Sequence, residues 1–206
     1  MTGTNAFESA LVYAAQLHAE QKRKGSDTPY ISHLLAVTAI ALDHGATETE
    51  AIAALLHDAV EDQGGQETLE EIRRRFGNQV ASIVAACSDS DESPKPPWRE
   101  RKEAFVKRLH TEPYSVRLVV AADKLHNVRD VLRNYRLHGD DLWSRFNGGR
   151  DATLWYYRAV VGALNEVAQP EETELSAIIE EIGYTLSTLE QVMAEHSMRM
   201  RPADRV

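Results

Sequence analysis

A histidine and an aspartate stand side by side where an apolar run of the chain ends. The run Leu55-Leu56 leads directly into His57-Asp58. Ionisable groups in apolar surroundings are costly unless they are paired or bind a metal. A neutral imidazole nitrogen and an anionic carboxylate oxygen together suit a divalent ion such as Mn²⁺, Fe²⁺ or Zn²⁺. The pair therefore predicts part of a metal site.

Two other residues could complete the coordination shell. His33 lies early in the second helical segment, and Asp123 follows the apolar run 118–122. Each has an ordinary explanation when it is taken alone, as a hydrogen-bonded core histidine or a surface aspartate. Taken together with the His57-Asp58 pair, however, they form a set of metal ligands drawn from three helices. This combination favours a shared metal ion.

Two further carboxylates, Glu61 and Asp62, follow the His-Asp pair by one helical turn. Residues four apart lie above one another on a helix, which places both carboxylates beside the predicted metal. There they could orient an attacking water molecule or accept its proton. The alternative is a solvated acidic helix end, which is the unfavourable end for negative charge in the field of the helix dipole. We favour the catalytic role.

A basic cluster, Lys22-Arg23-Lys24, precedes His33 in a chain whose formal net charge is −9. Arginine can stack on a nucleobase and form paired hydrogen bonds with phosphate, whereas lysine offers a point charge. The cluster could therefore bind substrate. The alternative is a solvated helix end, where cations complement the helix dipole.

Residues in the second half of the chain have less specific roles. Asn127 lies one turn after Asp123 and could hydrogen-bond a base or ribose, or be an ordinary polar residue of the bundle. His126 is expected to be structural. Three cations follow a proline-rich loop and could close over phosphates or form a solvated face: Arg99, Arg101 and Lys102. Three consecutive aromatic residues are expected in the core or in an interface: Trp155, Tyr156 and Tyr157.

Helical periodicity dominates the chain and predicts the elements that position these residues. Asn5 and Glu8 have the spacing of a capping box at the start of the first helix, and a polar loop with three prolines spans 88–97. The run 116–122 is apolar enough for a buried strand, but the pattern continues with helix formers and no partner strand is evident. We therefore predict a compact all-α bundle. The later helices are expected at 32–44, 48–62, 68–77, 78–87, 97–110, 113–137, 151–167 and 171–196.

The length and composition fit one domain, which we assign to 1–206 with a core at about 5–168 and a C-terminal helical extension. The acidic balance argues against binding to nucleic acids or anionic membranes. The single cysteine, Cys87, excludes an internal disulfide and a cysteine zinc site, and we expect it to be a buried small residue. No signal peptide or membrane span is evident, so a cytoplasmic location is expected. The sequence leaves open whether copies of the chain form a homo-oligomer.

The candidate residues belong to segments that stand in a specific order. These segments are Arg23-Lys24, Pro29-Tyr30-Ile31-Ser32-His33, the stretch 53–62, Phe76-Gly77 and Asp123-Lys124-Leu125-His126-Asn127. The set resembles the HD superfamily, and more closely the hydrolase domain of the RelA/SpoT alarmone enzymes and their stand-alone small relatives. A His-Asp dipeptide alone is a weak signal, whereas the ordered set of segments is specific.

The resemblance implies an HD-domain helical bundle with a single Mn²⁺ ion. The implied ligands are His33, His57, Asp58 and Asp123, and the implied catalytic acidic pair is Glu61 and Asp62. It also favours Arg23 and Lys24 as contacts to a small-molecule nucleotide substrate. The family reaction removes the 3′-pyrophosphate of ppGpp or pppGpp and releases GDP or GTP.

Two other classes of function remain open. One is an HD phosphohydrolase of another nucleotide: an adenine alarmone, a nucleoside mono- or triphosphate, or the 2′-phosphate of NADPH. The other is a module that senses a nucleotide without cutting it, although the intact ligand set and acidic pair argue against it. The segment 88–98 and the C-terminal third do not match the long bifunctional enzymes, and Asp130 stands where a small hydroxyl-bearing or apolar residue is common. These departures concern the identity of the substrate more than the chemistry.

Overall fold

The computed structural model describes residues 5–89 and 96–200, with side chains up to residue 198. The all-α prediction is confirmed, because extended pairing within these ranges is limited to one isolated bridge between Lys22 and Pro29. The apolar run 116–122 lies inside a helix. The elements are α1 (Ala6–Leu17), α2 (Ile31–Asp43), α3 (Glu48–Leu56), α4 (Ala59–Asp62), α5 (Gly65–Cys87), α6 (Trp98–Leu109), α7 (Tyr114–His138), a 3₁₀ helix (Gly139–Arg145), α8 (Gly149–Val167) and α9 (Thr173–Met200).

Helix α7 is the central helix of the bundle. It packs against α9, α2, α5 and α3, and its buried residues extend from Val116 to Tyr135. A helix that is apolar on most sides is expected at the centre of a bundle. The carboxylate of Asp123, on this helix, therefore lies in the interior and needs cationic or hydrogen-bonding partners.

The C-terminal helix α9 contributes to the same core. Leu175, Ile178, Ile182 and Leu189 are fully buried and belong to one cluster with apolar residues of α2, α3 and α7. Helix α9 packs on α7 and α8. Burial of these side chains stabilises the helix that carries Asp123.

A capping box holds the start of α3. The Thr47 hydroxyl accepts the backbone N–H of Glu50, and the Glu50 carboxylate accepts the backbone N–H of Thr47 at 2.7 Å. The other carboxylate oxygen of Glu50 accepts the Ser115 hydroxyl of α7 at 2.6 Å. These bonds set the position of α3 relative to α7. Asn5 is the N-cap of α1 as predicted, but its side chain accepts the N–H of Phe7 at 3.0 Å rather than that of Glu8 as in a capping box.

The predicted helix 48–62 is interrupted, and the prediction is wrong at the two residues between α3 and α4. His57 and Asp58 keep right-handed backbone angles, but ψ of Asp58 is −3°. The Asp58 carboxylate contacts Tyr30 and two histidines, and such tertiary contacts outweigh the local preference for a regular helix. The N–H of Asp62 still donates to the Asp58 carbonyl at 3.0 Å. Asp62 therefore lies one helical turn after Asp58, as expected from their spacing.

Gly77 divides α5 into two parts, which confirms the predicted end of a helix there. Its φ of +90° and ψ of 171° lie outside the helical region, and glycine adopts such angles more readily than other residues. The first part begins at Gly65 rather than at Thr68, whose hydroxyl donates to the Gln63 carbonyl. None of the helices in the described parts of the chain is long and apolar enough to span a membrane.

Candidate metal centre and active site

The four predicted metal ligands lie close together, and three of them, His33, His57 and Asp58, have donor atoms within 4.8 Å of one another. His33 comes from α2, His57 and Asp58 from the turn between α3 and α4, and Asp123 from α7. The Nε2 atom of His57 is 2.8 Å from Asp58 Oδ2 and 3.6 Å from Asp123 Oδ1. The Nε2 atom of His33 is 3.3 Å and 3.2 Å from the same two oxygens. Two imidazole nitrogens and two carboxylate oxygens therefore face one another in a largely buried space.

The hydrogen bonding of His57 tests whether this set fits a cation. Its Nδ1 atom lies 2.8 Å from the Ala54 carbonyl, so Nδ1 must carry a proton and donate. In a neutral ring, Nε2 then presents a lone pair, and the two carboxylate oxygens that it faces offer it no proton. A lone pair that faces two carboxylates is repelled unless a positive charge lies between them. Nitrogen and oxygen donors of this kind fit a divalent metal ion.

The pKa values at the centre agree with this fit. Burial would lower the pKa of His57, but the facing carboxylates outweigh burial and hold it well above its ordinary value. Burial would raise the pKa of Asp58 and of Asp123, but His57 and, for Asp123, Lys124 hold both well below the ordinary value. The cluster thus attracts a proton in place of a metal. A divalent ion would supply the positive charge and displace that proton.

His126, for which a structural role is favoured over a site role in the sequence, stands behind one of the predicted ligands. The Nδ1 atoms of His33 and His126 are 2.7 Å apart. Burial lowers the pKa of His126 to about 4, so its ring is neutral and its Nδ1 can accept the proton of His33 Nδ1. This bond leaves His33 Nε2 free to face the carboxylates. Partners of this kind fix the tautomer and orientation of histidine ligands.

Hydrogen bonds also orient both carboxylates of the predicted ligand set. The Tyr30 hydroxyl donates to Asp58 Oδ2 at 2.7 Å. The Lys124 ammonium donates to Asp123 Oδ2 at 2.5 Å, and the Asn127 amide donates to Asp123 Oδ1. Tyr30 and Lys124 are functional candidates that the sequence interpretation missed, although both lie inside the segments that carry the resemblance. Their proximity to His33 and Asp123 in the sequence was the signal that could have identified them.

The two predicted catalytic carboxylates have different surroundings. Glu61 lines the same cavity as the metal cluster, and its Oε1 is 3.8 Å from the Arg101 guanidinium. Asp62 is exposed, and its Oδ2 accepts the Gln21 amide at 2.8 Å. Glu61 is therefore placed at the cavity, whereas Asp62 lies on the outer side of the same turn.

The cavity at the metal cluster has a volume of about 200 Å³ and a polar lining. Four carboxylates and three cations line it, namely Asp58, Glu61, Asp89 and Asp123 with Arg23, Lys102 and Lys124. Cys87 also lines it and is half-buried, and burial raises the pKa of its thiol. A divalent ion would change the balance of these charges from negative to positive. The loaded cavity would then suit a polyanion.

The basic cluster of the sequence separates into distinct contacts. Residues 21–30 fold back on themselves, with the N–H of Arg23 donating to the Thr28 carbonyl at 2.8 Å. The Arg23 guanidinium donates to Asn127 Oδ1 at 2.8 Å and lies 5.8 Å from the centre of the Tyr30 ring. Lys24 donates to Asn147, whereas Lys22 pairs with an exposed aspartate and fits the solvated alternative.

Arg23 also joins the metal cavity to a second cavity. The second cavity has a volume of about 360 Å³. Arg23, Lys24, His126 and Asp130 are among its lining residues, and Arg23 lines both cavities. The predicted contacts Arg23, Lys24 and Asn127 therefore lie at or beside the junction. Tyr156 and Tyr157 are buried, which confirms the expectation that they lie in the core or in an interface.

Comparisons with known proteins identify similar chains. A family model described as HD domain matches residues 10–153. The Mus musculus guanosine-3′,5′-bis(diphosphate) 3′-pyrophosphohydrolase MESH1 is 37% identical over 179 residues, which cover 84% of this chain and 93% of the mouse protein. The Homo sapiens MESH1 protein is 42% identical over 126 residues, which cover 59% of this chain and 66% of the human protein.

A solved structure, described as a metazoan ortholog of SpoT that hydrolyses ppGpp, has the same fold. It superposes with a TM-score of 0.69 at 28% identity, and the match covers 89% of this chain and 98% of that chain. The similarities in sequence and in structure confirm the resemblance that the ordered motifs indicated.

Proposed function

Because the chain belongs to the HD domain family and, within it, to the family of the MESH1 proteins, we propose that it is a metal-dependent alarmone hydrolase. The proposed reaction removes the 3′-pyrophosphate of ppGpp or pppGpp and yields GDP or GTP. The observation that carries the proposal is the junction of two cavities at Arg23. A nucleotide with phosphates at both its 3′ and 5′ positions fits this arrangement, because one charged end can enter each cavity.

The residues that would hold the metal are His33, His57, Asp58 and Asp123. Since two of the four donors are imidazoles, we propose Mn²⁺ rather than Mg²⁺, which prefers oxygen ligands. When bound, the ion supplies Lewis-acid stabilisation of the phosphate charge and lowers the pKa of water to be used as the nucleophile.

The side chains of the cavity perform the remaining tasks in this proposal. The Glu61 carboxylate, which lines the metal cavity, accepts the proton of the attacking water. Asp62, on the outer side of the same turn, helps to orient this water or to accept its proton. The water oxygen bonds to the phosphorus next to the ribose, and the bond to the 3′ oxygen breaks. The 3′ oxygen takes up a proton to become a hydroxyl group, and pyrophosphate leaves.

Substrate binding in this proposal begins at the junction of the cavities. Arg23 is held by Asn127 and lies near the Tyr30 ring. It can therefore present the face of its guanidinium to a base or its edge to a phosphate. Lys24 adds a cation at the second cavity. The 3′-pyrophosphate is thereby directed to the metal cavity.

A panel of nucleotides tests the proposal. The protein is loaded with Mn²⁺ and incubated separately with ppGpp, pppGpp, pppApp, NADPH and deoxynucleoside monophosphates, and the products are separated by chromatography. We expect GDP and pyrophosphate from ppGpp at a higher kcat/KM than any product from NADPH or a monophosphate. Faster release of orthophosphate from NADPH would identify a different HD phosphohydrolase. Tight binding of ppGpp without turnover would identify a sensing module.

A further inference from the structure

Three charged residues form a compact group beside the metal cavity, and we call Asp89, Arg101 and Lys102 the Asp89 triad. Asp89 follows the end of α5, and its side chain is only 3% exposed. One carboxylate oxygen accepts the Arg101 guanidinium, and the other accepts the Lys102 ammonium at 2.5 Å. Both cations belong to the first turns of α6. A single buried carboxylate therefore holds two cations.

Two residues of the triad line the metal cavity, and the third lies near Glu61. Asp89 and Lys102 line the metal cavity together with Glu61. The Lys102 ammonium also lies 4.8 Å from the centre of the Tyr156 ring, so it is held between a carboxylate and an aromatic face. The Arg101 guanidinium lies 3.8 Å from Glu61.

The charges of the triad do not balance. One carboxylate faces two cations, and Glu61, 3.8 Å from Arg101, offsets part of the charge of that guanidinium. Asp89 stays ionised because both cations lower its pKa against the effect of burial. A purely structural ion pair needs only one cation, and a second like charge nearby adds repulsion. Once a divalent ion outweighs the carboxylates of the cavity, a bound polyanion would offset the repulsion between the two cations.

We propose that Asp89 is a positioning residue for the reaction described under the proposed function, on which this inference rests. Asp89 holds Lys102 at the cavity, where the ammonium binds the 3′-pyrophosphate of the substrate and then the departing pyrophosphate. Asp89 also holds Arg101 beside Glu61. The Arg101 Nε–H donates to the Pro96 carbonyl at 3.1 Å, which further restricts the guanidinium.

The alternative role of Asp89 is to tie α6 to α5. Helix α6 packs mainly on α8, and Arg108 already connects it to the end of α5 by donating to the carbonyls of Ala86 and Ser88. A structural tie would change stability without changing how the protein binds phosphate. The two roles therefore predict different results for the same substitutions.

The test compares Asp89→Asn, Asp89→Glu and Lys102→Gln with a matched control, Glu172→Gln. Glu172 and Arg117 form a buried ion pair with distances of 2.6 Å and 2.7 Å, outside both cavities. Each variant is examined for melting temperature, metal content, kcat/KM for ppGpp, and the affinity of the metal-loaded, desalted protein for inorganic pyrophosphate. Metal content is measured again after the titration, because pyrophosphate can extract metal.

The positioning role predicts that Asp89→Asn and Lys102→Gln each lower kcat/KM and pyrophosphate affinity about tenfold to a hundredfold, the usual range for a lost charge-assisted contact. Asp89→Glu keeps the charge but displaces both cations, so it should lose activity with little change in melting temperature. The double variant Asp89→Asn/Lys102→Gln should lose less activity than the product of the two single effects, because Asp89 acts in part through Lys102. Glu172→Gln should lower only the melting temperature.

Three results would overturn the inference. Asp89→Asn and Asp89→Glu could retain kcat/KM and pyrophosphate affinity within about twofold, or the effects of the two single substitutions could multiply in the double variant. If the wild-type protein does not release pyrophosphate from ppGpp, the proposed function fails, and the pyrophosphate titration still decides the role of Asp89. The third contrary result would be an equal affinity for inorganic pyrophosphate in the wild-type protein and in Asp89→Asn.

Discussion

The bond between His33 and His126 predicts a specific loss of metal affinity when the acceptor is removed. The two Nδ1 atoms are 2.7 Å apart, and the bond leaves Nε2 of His33 facing Asp58 and Asp123. His126→Phe keeps an aromatic ring of similar size but offers no acceptor. Loss of such an outer hydrogen bond typically weakens metal binding about 10- to 100-fold. His126→Gln, whose side-chain carbonyl can accept, should recover part of the affinity.

The expected change can be expressed as a stability increment. A metal concentration of about 100 times the wild-type Kd stabilises the folded protein by about 2.7 kcal/mol, and a Kd raised 10- or 100-fold reduces this to about 1.4 or 0.4 kcal/mol. For a chain of this size, the loss corresponds to a metal-induced shift in Tm that is about 3–9 °C smaller. Comparing each variant with and without metal removes any effect of the substitution on the metal-free fold.

Two measurements check this prediction: thermal unfolding at fixed free Mn²⁺, and the Kd for Mn²⁺ from competition with a chelator. His110→Phe is the control, because His110 pairs with Glu166 on the surface and contacts none of the four ligands. Its metal-induced shift should equal that of the wild type. An unchanged Mn²⁺ affinity in His126→Phe would refute the argument that His126 orients His33.

Three further predictions concern the metal, the base and the substrate contact. Chelation with EDTA should abolish hydrolysis and Mn²⁺ should restore it better than Mg²⁺, because Mg²⁺ prefers oxygen ligands; full activity in excess EDTA after dialysis would contradict the metal site. Glu61→Gln should lower kcat about 10²- to 10⁴-fold in single-turnover assays while metal content and nucleotide binding remain, and a wild-type rate would remove Glu61 from the mechanism. Arg23→Ala should weaken ppGpp binding about 10- to 100-fold in a titration without loss of metal, and unchanged KM and kcat would leave Arg23 as a solvated cation.

The proximity of the four predicted ligands could be foreseen because each lies beside an apolar helical run. His57-Asp58 ends one such run and Asp123 ends another, and the burial of these runs brings their polar ends into the interior. The all-α fold was predictable for the same reason. The break at His57 and Asp58 was not, because the local residues favour a continuous helix and the contact with Tyr30 comes from 28 positions away.

Other partners of the predicted ligands, unlike Tyr30 and Lys124, could not be derived from local patterns. His126 meets His33 across 93 positions of the chain, and nothing in its immediate neighbours distinguishes a buried acceptor from an ordinary bundle histidine. Asp89 lies in the polar stretch 88–97 that predicts a loop, yet its carboxylate is buried by cations from the following helix. Burial of a charge depends on the packing of distant elements, which composition and spacing do not encode.

A single amide connects the metal centre to the proposed nucleotide contact. The Asn127 nitrogen donates to Asp123, and its oxygen accepts from Arg23 at 2.8 Å. The reverse orientation of the amide would place two donors together and two acceptors together, so the charges on either side select this one. Asn127 thus aligns a predicted carboxylate ligand and a proposed substrate contact at once, in addition to the binding role expected from its sequence. Asp130 of the same helix also accepts from Arg23, at 3.5 Å. In the proposed enzyme, the central helix α7 therefore holds both the metal site and the Arg23 contact.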